Sequence, residues 1–188
     1  MDDVRLLDRA RRGDEEAFSL LFGRHQRAIY RYAVYMSGRD AADDIVQETF
    51  LAVLQQRGRD DAPRGAVLPY LIGIARHRVL KRLSARSESL DEDIEAAAAT
   101  SAAGPVADAD QGSILDRLTR TETIDTVRAA VRTLPAAYRE AIVLCELQEM
   151  PYAEAAEVMR CPIGTVRSRL HRAKALLMSA LQTKEIWT

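Results

Sequence analysis

Only two cysteines, Cys145 and Cys161, occur in 188 residues. Two are too few for a disulfide framework, and their presence as small apolar fillers fits a reducing compartment. No apolar run approaches the roughly 18 residues that a bilayer crossing needs, so no membrane insertion is expected. The opening Met-Asp-Asp-Val-Arg-Leu-Leu carries acids and no apolar signal core, so no export is expected either. Aromatic residues make up 5% of the chain. That scarcity, beside abundant Ala, Leu and Arg, favours helix over sheet. There is no Gly-rich phosphate loop, no metal-ligand cluster and no nucleophile with a base at recognisable spacing. His25, His77 and His171 lie far apart, and His25 has no Cys or His three or four positions away. An enzyme, a metal site or a cofactor is therefore not expected. No period of 20–50 residues marks a repeat architecture.

Net charge is also nearly absent. Lys and Arg number 27 and Asp and Glu 28, so the balance of −1 names no partner. The distribution is uneven, however. Residues 62–87 hold Arg64, Arg76, Arg78, Lys81, Arg82 and Arg86 with no acid. Residues 88–116 hold eight acids, from Glu88 to Asp116, with no base. Between Arg160 and Lys184 no carboxylate occurs. Two positive stretches separated by a negative one predict two nucleic-acid contacts and a linker that avoids a polyanion.

Apolar periodicity predicts helices through most of the chain. A short helix spans residues 2–12 and ends at Gly13. Asp14 is placed to cap a second helix, with Glu15 and Glu16 complementing its dipole. Its inward positions are Ala17, Phe18, Leu21, Phe22, His25, Ile29, Tyr32, Ala33 and Met36. A third helix opens at Asp40, burying Ile45, Val46, Thr49, Phe50, Val53 and Leu54 and turning Asp43, Asp44, Gln47 and Glu48 outward. After a loop at 57–69, a fourth helix runs from about Ala66 or Leu68 to Ala85, with Leu71, Ile74, Ala75, Val79 and Leu83 as its apolar stripe. Its basic side chains, with Tyr70 close by, suit a nucleic-acid groove and a stacked unpaired base. Residues 88–112, poor in large apolar groups, read as a flexible linker. Helices resume near Ser113, restart at Pro135, and finish in a pair over residues 149–174. Pro151 opens the first of that pair, Pro162 and Gly164 punctuate it, and Thr165 is placed to cap the second. Val166, Leu170, Ala173 and Leu177 form the second helix's buried stripe. Its other faces show Arg167, Ser168, Arg169, His171, Arg172 and Lys174, a set suited to phosphates and a major groove.

These residues resemble a known family, the extracytoplasmic function (ECF, group IV) sigma factors of bacterial RNA polymerase. The resemblance rests on Gly13-Asp14-Glu-Glu-Ala-Phe, on Ala42-Asp43-Asp44-Ile45-Val46-Gln47-Glu48-Thr49-Phe50, and on Tyr70-Leu71-Ile72-Gly73-Ile74-Ala75-Arg76. In the C-terminal half it rests on Leu134-Pro135, Arg139-Glu140, Tyr152-Ala153-Glu154 and Gly164-Thr165-Val166-Arg167-Ser168-Arg169-Leu170-His171-Arg172-Ala173. Tyr70, His77 and Lys81 stand where members often carry Trp, Asn and Asp. The resemblance implies an all-α protein of two small helical domains joined by a flexible linker. Sigma region two would span 1–87, the linker 88–112 and sigma region four 113–183. It implies binding to core RNA polymerase, at the β′ clamp helices and the β flap, through Asp43, Asp44, Gln47, Glu48 and Phe50. It implies promoter DNA contacts at the −10 element from Tyr70, Arg76, His77, Arg78, Lys81 and Arg82. At the −35 element they would come from Thr165, Arg167, Ser168, Arg169, His171, Arg172 and Lys174. Control by an anti-sigma factor follows from the same likeness, while a cytoplasmic location is expected from the two cysteines and the acidic opening residues. The rival reading is a stand-alone helix-turn-helix regulator, which leaves the acidic third helix unexplained.

Overall fold

In a computed structural model, residues 2–55, 65–90 and 126–185 are described, with side chains omitted at 86–90 and 183–185. The expected linker beyond Leu90, the expected helix start at Ser113 and most of the 57–69 loop lie outside the described residues. Among the described residues every regular element is helical.

Helix α1 (Asp3–Arg11) ends where the sequence places its stop. Gly13 takes φ +95°. Its amide donates to the Ala10 carbonyl at 3.0 Å and the Asp14 amide donates to Arg9 at 3.1 Å. This paired pattern satisfies carbonyls that the helix end would otherwise leave free. Asp14 then caps α2 (Glu15–Ser37), accepting the Ala17 amide at 3.0 Å. That hydrogen bond, joined by the Arg9 guanidinium, holds the Asp14 carboxyl below its ordinary pKa. His25, expected at the edge of the core, is buried and meets Asp3 of α1 at 2.9 Å.

α2 is the central strut, packing against α1, α3 (Arg39–Gln55) and α4 (Val67–Leu90). Leu21, Ile29, Tyr32, Ile45, Leu71, Ile72 and Val79 are fully enclosed. Enclosing each large apolar side chain stabilises the fold by about 1.5–3 kcal/mol before entropy is counted. Phe18, Phe22 and Phe50 form a ring cluster with centroids 4.8–6.0 Å apart. α4 starts early enough to place Pro69 in its first turn, where a missing amide costs little. Its far end continues to Leu90, three residues into the segment expected as linker.

The C-terminal part comprises α5 (described over 126–133), α6 (Ala136–Ile142), α7 (Tyr152–Met159) and α8 (Ile163–Glu185). α6 runs directly into a π-helical turn, Val143–Leu147. The extra residue per turn shifts the helix phase, and Val143, Leu144 and Cys145 continue the buried run that Glu140, Ala141 and Ile142 begin in α6. Sequence periodicity has no means of signalling that wide turn.

Burial, and then the Glu146 charge, pushes the Cys145 thiol up to about 11. At pH 8 its thiolate fraction is then about a thousandth. Iodoacetamide at that pH should modify the half-exposed Cys161 and leave folded Cys145 untouched, as read by peptide mass spectrometry. Equal labelling of the two would contradict the placement of Cys145.

The two helical domains that the sequence anticipates also pack against one another. They share one hydrophobic core, in which Tyr32, Leu71 and Val79 join Val131, Leu144, Ala155 and Val166. α6 and the π turn pack on α2, and α7 packs on α4.

Candidate nucleic-acid interface

α7 and α8 form the helix-turn-helix that the sequence anticipates, but the turn is built differently. Arg160, not a glycine, takes the left-handed conformation, with φ 51° and ψ 49°. Its amide donates to Glu157 at 3.2 Å, and the Cys161 amide donates to Ala156 at 3.1 Å. These two bonds close α7, and the left-handed geometry strains a side-chain-bearing residue by about 1–2 kcal/mol. Gly164 lies inside α8, which starts at Ile163. Thr165 is therefore not the cap of this helix. Its amide already donates to Pro162 at 2.9 Å, and its carbonyl accepts the Ser168 hydroxyl at 3.0 Å.

Val166, Leu170 and Ala173 are buried against the rest of the C-terminal half. At about 100° per residue, Arg167, Ser168, His171 and Arg172 fall on the opposite side, and all four are exposed. Arg169 is half-buried, its guanidinium leaning toward the Cys161 sulfur at 3.9 Å. Lys174, expected to position the helix on the DNA backbone, instead meets Glu146 of the π turn at 2.8 Å. That hydrogen bond raises the pKa of its ammonium. The outward face therefore carries the cations Arg167 and Arg172 beside the His171 ring and the Ser168 hydroxyl, flanked by Arg169.

The acidic and basic faces of the N-terminal half lie side by side. Asp43, Asp44 and Gln47 of α3 are exposed. Phe50, expected among the polymerase contacts, lies behind that surface, 2% exposed inside the phenylalanine cluster. Arg82 of α4 reaches Glu48 at 2.8 Å, Asp44 at 3.6 Å and the Ala41 carbonyl at 3.0 Å. Arg78 approaches Glu48 at 3.7 Å. Part of the expected basic surface is thus neutralised by part of the expected acidic one. His77 and Lys81 remain exposed.

Tyr70 is half-buried. Its hydroxyl accepts from Arg11 at 2.8 Å, and the Arg11 guanidinium carbon lies 5.5 Å from the ring centroid. Arg76 turns away from solvent to Glu140 of α6, Nε to Oε1 at 2.7 Å. A cleft of about 520 Å³ opens between α4 and α7, with Tyr70, His77 and Arg78 facing Glu157 and Arg160. Glu140, Tyr32 and Arg11 escaped the sequence reading as participants. The one hint for Glu140 is its position three and four residues before Val143 and Leu144, on a face that buries. Among the described residues no group of three or more His, Cys, Asp or Glu is placed to hold a metal. No described helix is long and apolar enough to cross a membrane.

An all-helical chain with an acidic helix beside a basic one, followed by a helix-turn-helix with a cationic outer face, defines a DNA-binding transcription factor of two modules. The model of Sigma-70 region 2 matches residues 21–88, and that of Sigma-70, region 4 matches residues 124–177. The RNA polymerase sigma-H factor of Pseudomonas aeruginosa is 34% identical over 184 residues, 96% of this chain and 94% of that one. The ECF RNA polymerase sigma factor SigC of Mycobacterium tuberculosis is 30% identical over 181 residues, 94% of this chain and 90% of that one. Among solved structures, the sigma factor RpoE of Bartonella quintana, in complex with the anti-sigma factor NepR, gives a TM-score of 0.72 at 24% identity. That match covers 88% of this chain and 96% of the other. CnrH, in complex with the cytosolic domain of CnrY, gives 0.67 at 25% identity over 96% and 97% of the two chains. The chain belongs to the sigma-70 family of RNA polymerase sigma factors, within its ECF group.

Proposed function

We propose that this sigma factor joins core RNA polymerase in the cytoplasm and directs it to promoters through two DNA contacts. Residues 1–87 act as region two, 88–112 as linker, into which α4 runs as far as Leu90, and 113–183 as region four. Asp43, Asp44 and Gln47, with Glu48 beside them, dock α3 on the β′ clamp helices, and region four engages the β flap. α8 enters the major groove at the −35 element. Arg167 and Arg169 read base edges or phosphates, and Thr165, Ser168, His171, Arg172 and Lys174 hold the backbone. Lys174 exchanges Glu146 for a phosphate to do so. The −10 strand lies along α4, where Arg76, Arg78, Lys81 and Arg82 supply charge and His77 a hydrogen-bonding ring. Tyr70 stacks on an unpaired base, offsetting the few kcal/mol that unstacking costs.

The observation that carries this reading is the exposed cationic face of α8 on one half and the exposed acidic face of α3 on the other. A stand-alone regulator needs only the first. Likeness to relatives over both halves favours the sigma reading, and the neighbour bound to NepR favours an anti-sigma partner. The chain itself supplies no catalytic group to transcription, whose bond-forming chemistry belongs to the polymerase. Run-off transcription over a promoter library tests the proposal. Transcripts should require both this chain and core enzyme. Tight, specific promoter binding by the chain alone, with no core-dependent transcript, would establish the regulator reading instead.

A further inference from the structure

The side-chain hydrogen bonds between the two halves centre on two adjacent residues of α6. Glu140 is 3% exposed and sits where three helices meet. Its Oε1 accepts the Tyr32 hydroxyl of α2 at 2.7 Å and the Arg76 Nε of α4 at 2.7 Å. Oε2 lies 3.4 Å from a second Arg76 nitrogen. Arg139, one residue earlier, sends Nη1 to the Met36 carbonyl at 3.3 Å and Nη2 to the Leu134 carbonyl at 2.9 Å. α2 carries no basic residue in its own last turn, so a cation from the other half complements the negative end of its dipole. Gly38, at the end of α2, takes φ +91°, and a Cβ there would come within 2.9 Å of Arg132 Nη2. Gln148 adds a bond to the Ala28 carbonyl at 3.1 Å.

Burial and the neighbouring Glu140 charge push the Tyr32 phenol well above its ordinary pKa, so the hydroxyl keeps its proton and remains a donor. The Arg76 side chain is 19% exposed and the Glu140 side chain 4%. Such a charge pair is specific rather than merely adhesive, because either partner left alone in a low-dielectric site is strongly unfavourable. In effect, Glu140 holds Arg76 as a phosphate oxygen would: an anionic oxygen facing the guanidinium at hydrogen-bond distance.

We infer that Arg139 and Glu140 form a built-in clasp that keeps the free chain closed and occupies a DNA-binding cation with an internal carboxylate. The inference rests on the reading that α4 takes the −10 strand. While the clasp is shut, Arg76 is bound to Glu140 and α7 stands over the Tyr70–His77 face of α4. Opening exchanges the Glu140 carboxylate for strand phosphate on Arg76, with no net loss of ion pairing by Arg76.

The test compares the full chain with Glu140→Gln and Tyr32→Phe. Glu140→Gln keeps the side chain's shape and a hydrogen-bond acceptor for Tyr32 but removes the charge that holds Arg76. Tyr32→Phe keeps the ring in the core and deletes one bond to Glu140, so it remains informative if the first variant folds poorly. Small-angle scattering should give the wild type a compact core, near the roughly 16 Å radius of gyration of a single 188-residue body. Both variants should be larger, Glu140→Gln the more so. A fluorescent 20-nucleotide oligo-dT should bind Glu140→Gln about tenfold more tightly than wild type. Its salt dependence should steepen by about one phosphate contact, the slope a single released counterion gives. Adding Arg76→Gln should abolish that gain. No change in size overturns the clasp, and expansion without tighter oligo-dT binding overturns the masking of Arg76. Failure of the wild type to bind core polymerase would instead overturn the sigma reading, and that assay is run separately.

Discussion

Replacing Arg167 and Arg172 together by alanine is expected to cut transcription from −35-dependent promoters by about a hundredfold or more. Each arginine aimed at a base edge or phosphate contributes about 1–3 kcal/mol, and a factor of ten corresponds to about 1.4 kcal/mol. The two side chains are exposed on the outer face of α8, opposite Val166, Leu170 and Ala173, so their removal leaves the core packing intact. Thermal stability should therefore stay within about 0.5 kcal/mol per site. Affinity for a −35 duplex, measured with core enzyme present, should lose close to two units of salt slope. The same experiment on Arg169 has a different signature. Its guanidinium leans on Cys161 at the helix-turn-helix turn, so Arg169→Ala should lower binding and slightly loosen the turn. An unchanged upstream footprint together with an unchanged salt slope in the double variant would remove α8 from the promoter.

A second large effect is expected at the acidic face. Asp44→Arg should weaken retention on core RNA polymerase by at least about tenfold, because charge reversal at an interface replaces attraction with repulsion. Asp44 suits this test because its side chain is 66% exposed and its approach to Arg82 is long, at 3.6 Å. Arg82 keeps Glu48 at 2.8 Å and the Ala41 carbonyl at 3.0 Å, so α3 and α4 stay joined in the variant. Unfolding midpoints close to wild type would show that. Glu48 is a poorer choice, since it holds both Arg78 and Arg82, and its loss would disturb the fold as well as the surface. Co-purification of Asp44→Arg with core enzyme at wild-type strength would show that α3 docks elsewhere.

Local chemistry was readable in the chain because local structure answers to neighbours a few residues away. Gly13 as a stop, Asp14 as a cap and the Val166–Leu170–Ala173 stripe each depend on one or two helical turns. Phe50 shows where that reading divides. Its spacing places it in the core, whereas its resemblance-derived role places it on the surface, and the cluster with Phe18 and Phe22 decides for the core. Thr165 and Arg160 show the limit of composition. Hydroxyls and glycines usually occupy caps and left-handed turns, yet here an arginine takes the turn and the threonine lies within the helix.

By itself the sequence determined the all-helical class, the helix faces and the two stretches of positive charge, since these follow from periodicity and from the order of residues. Only the tertiary structure decided which charges remain available. Arg76 and Glu140 are 64 positions apart, and Tyr32 and Glu140 are 108 apart. Arg82 and Glu48 are separated by 34. No pattern along the chain reveals that such residues meet, because their approach depends on how α2, α4 and α6 cross. Charge along a sequence is additive, whereas charge on a surface is what remains after burial and pairing in three dimensions.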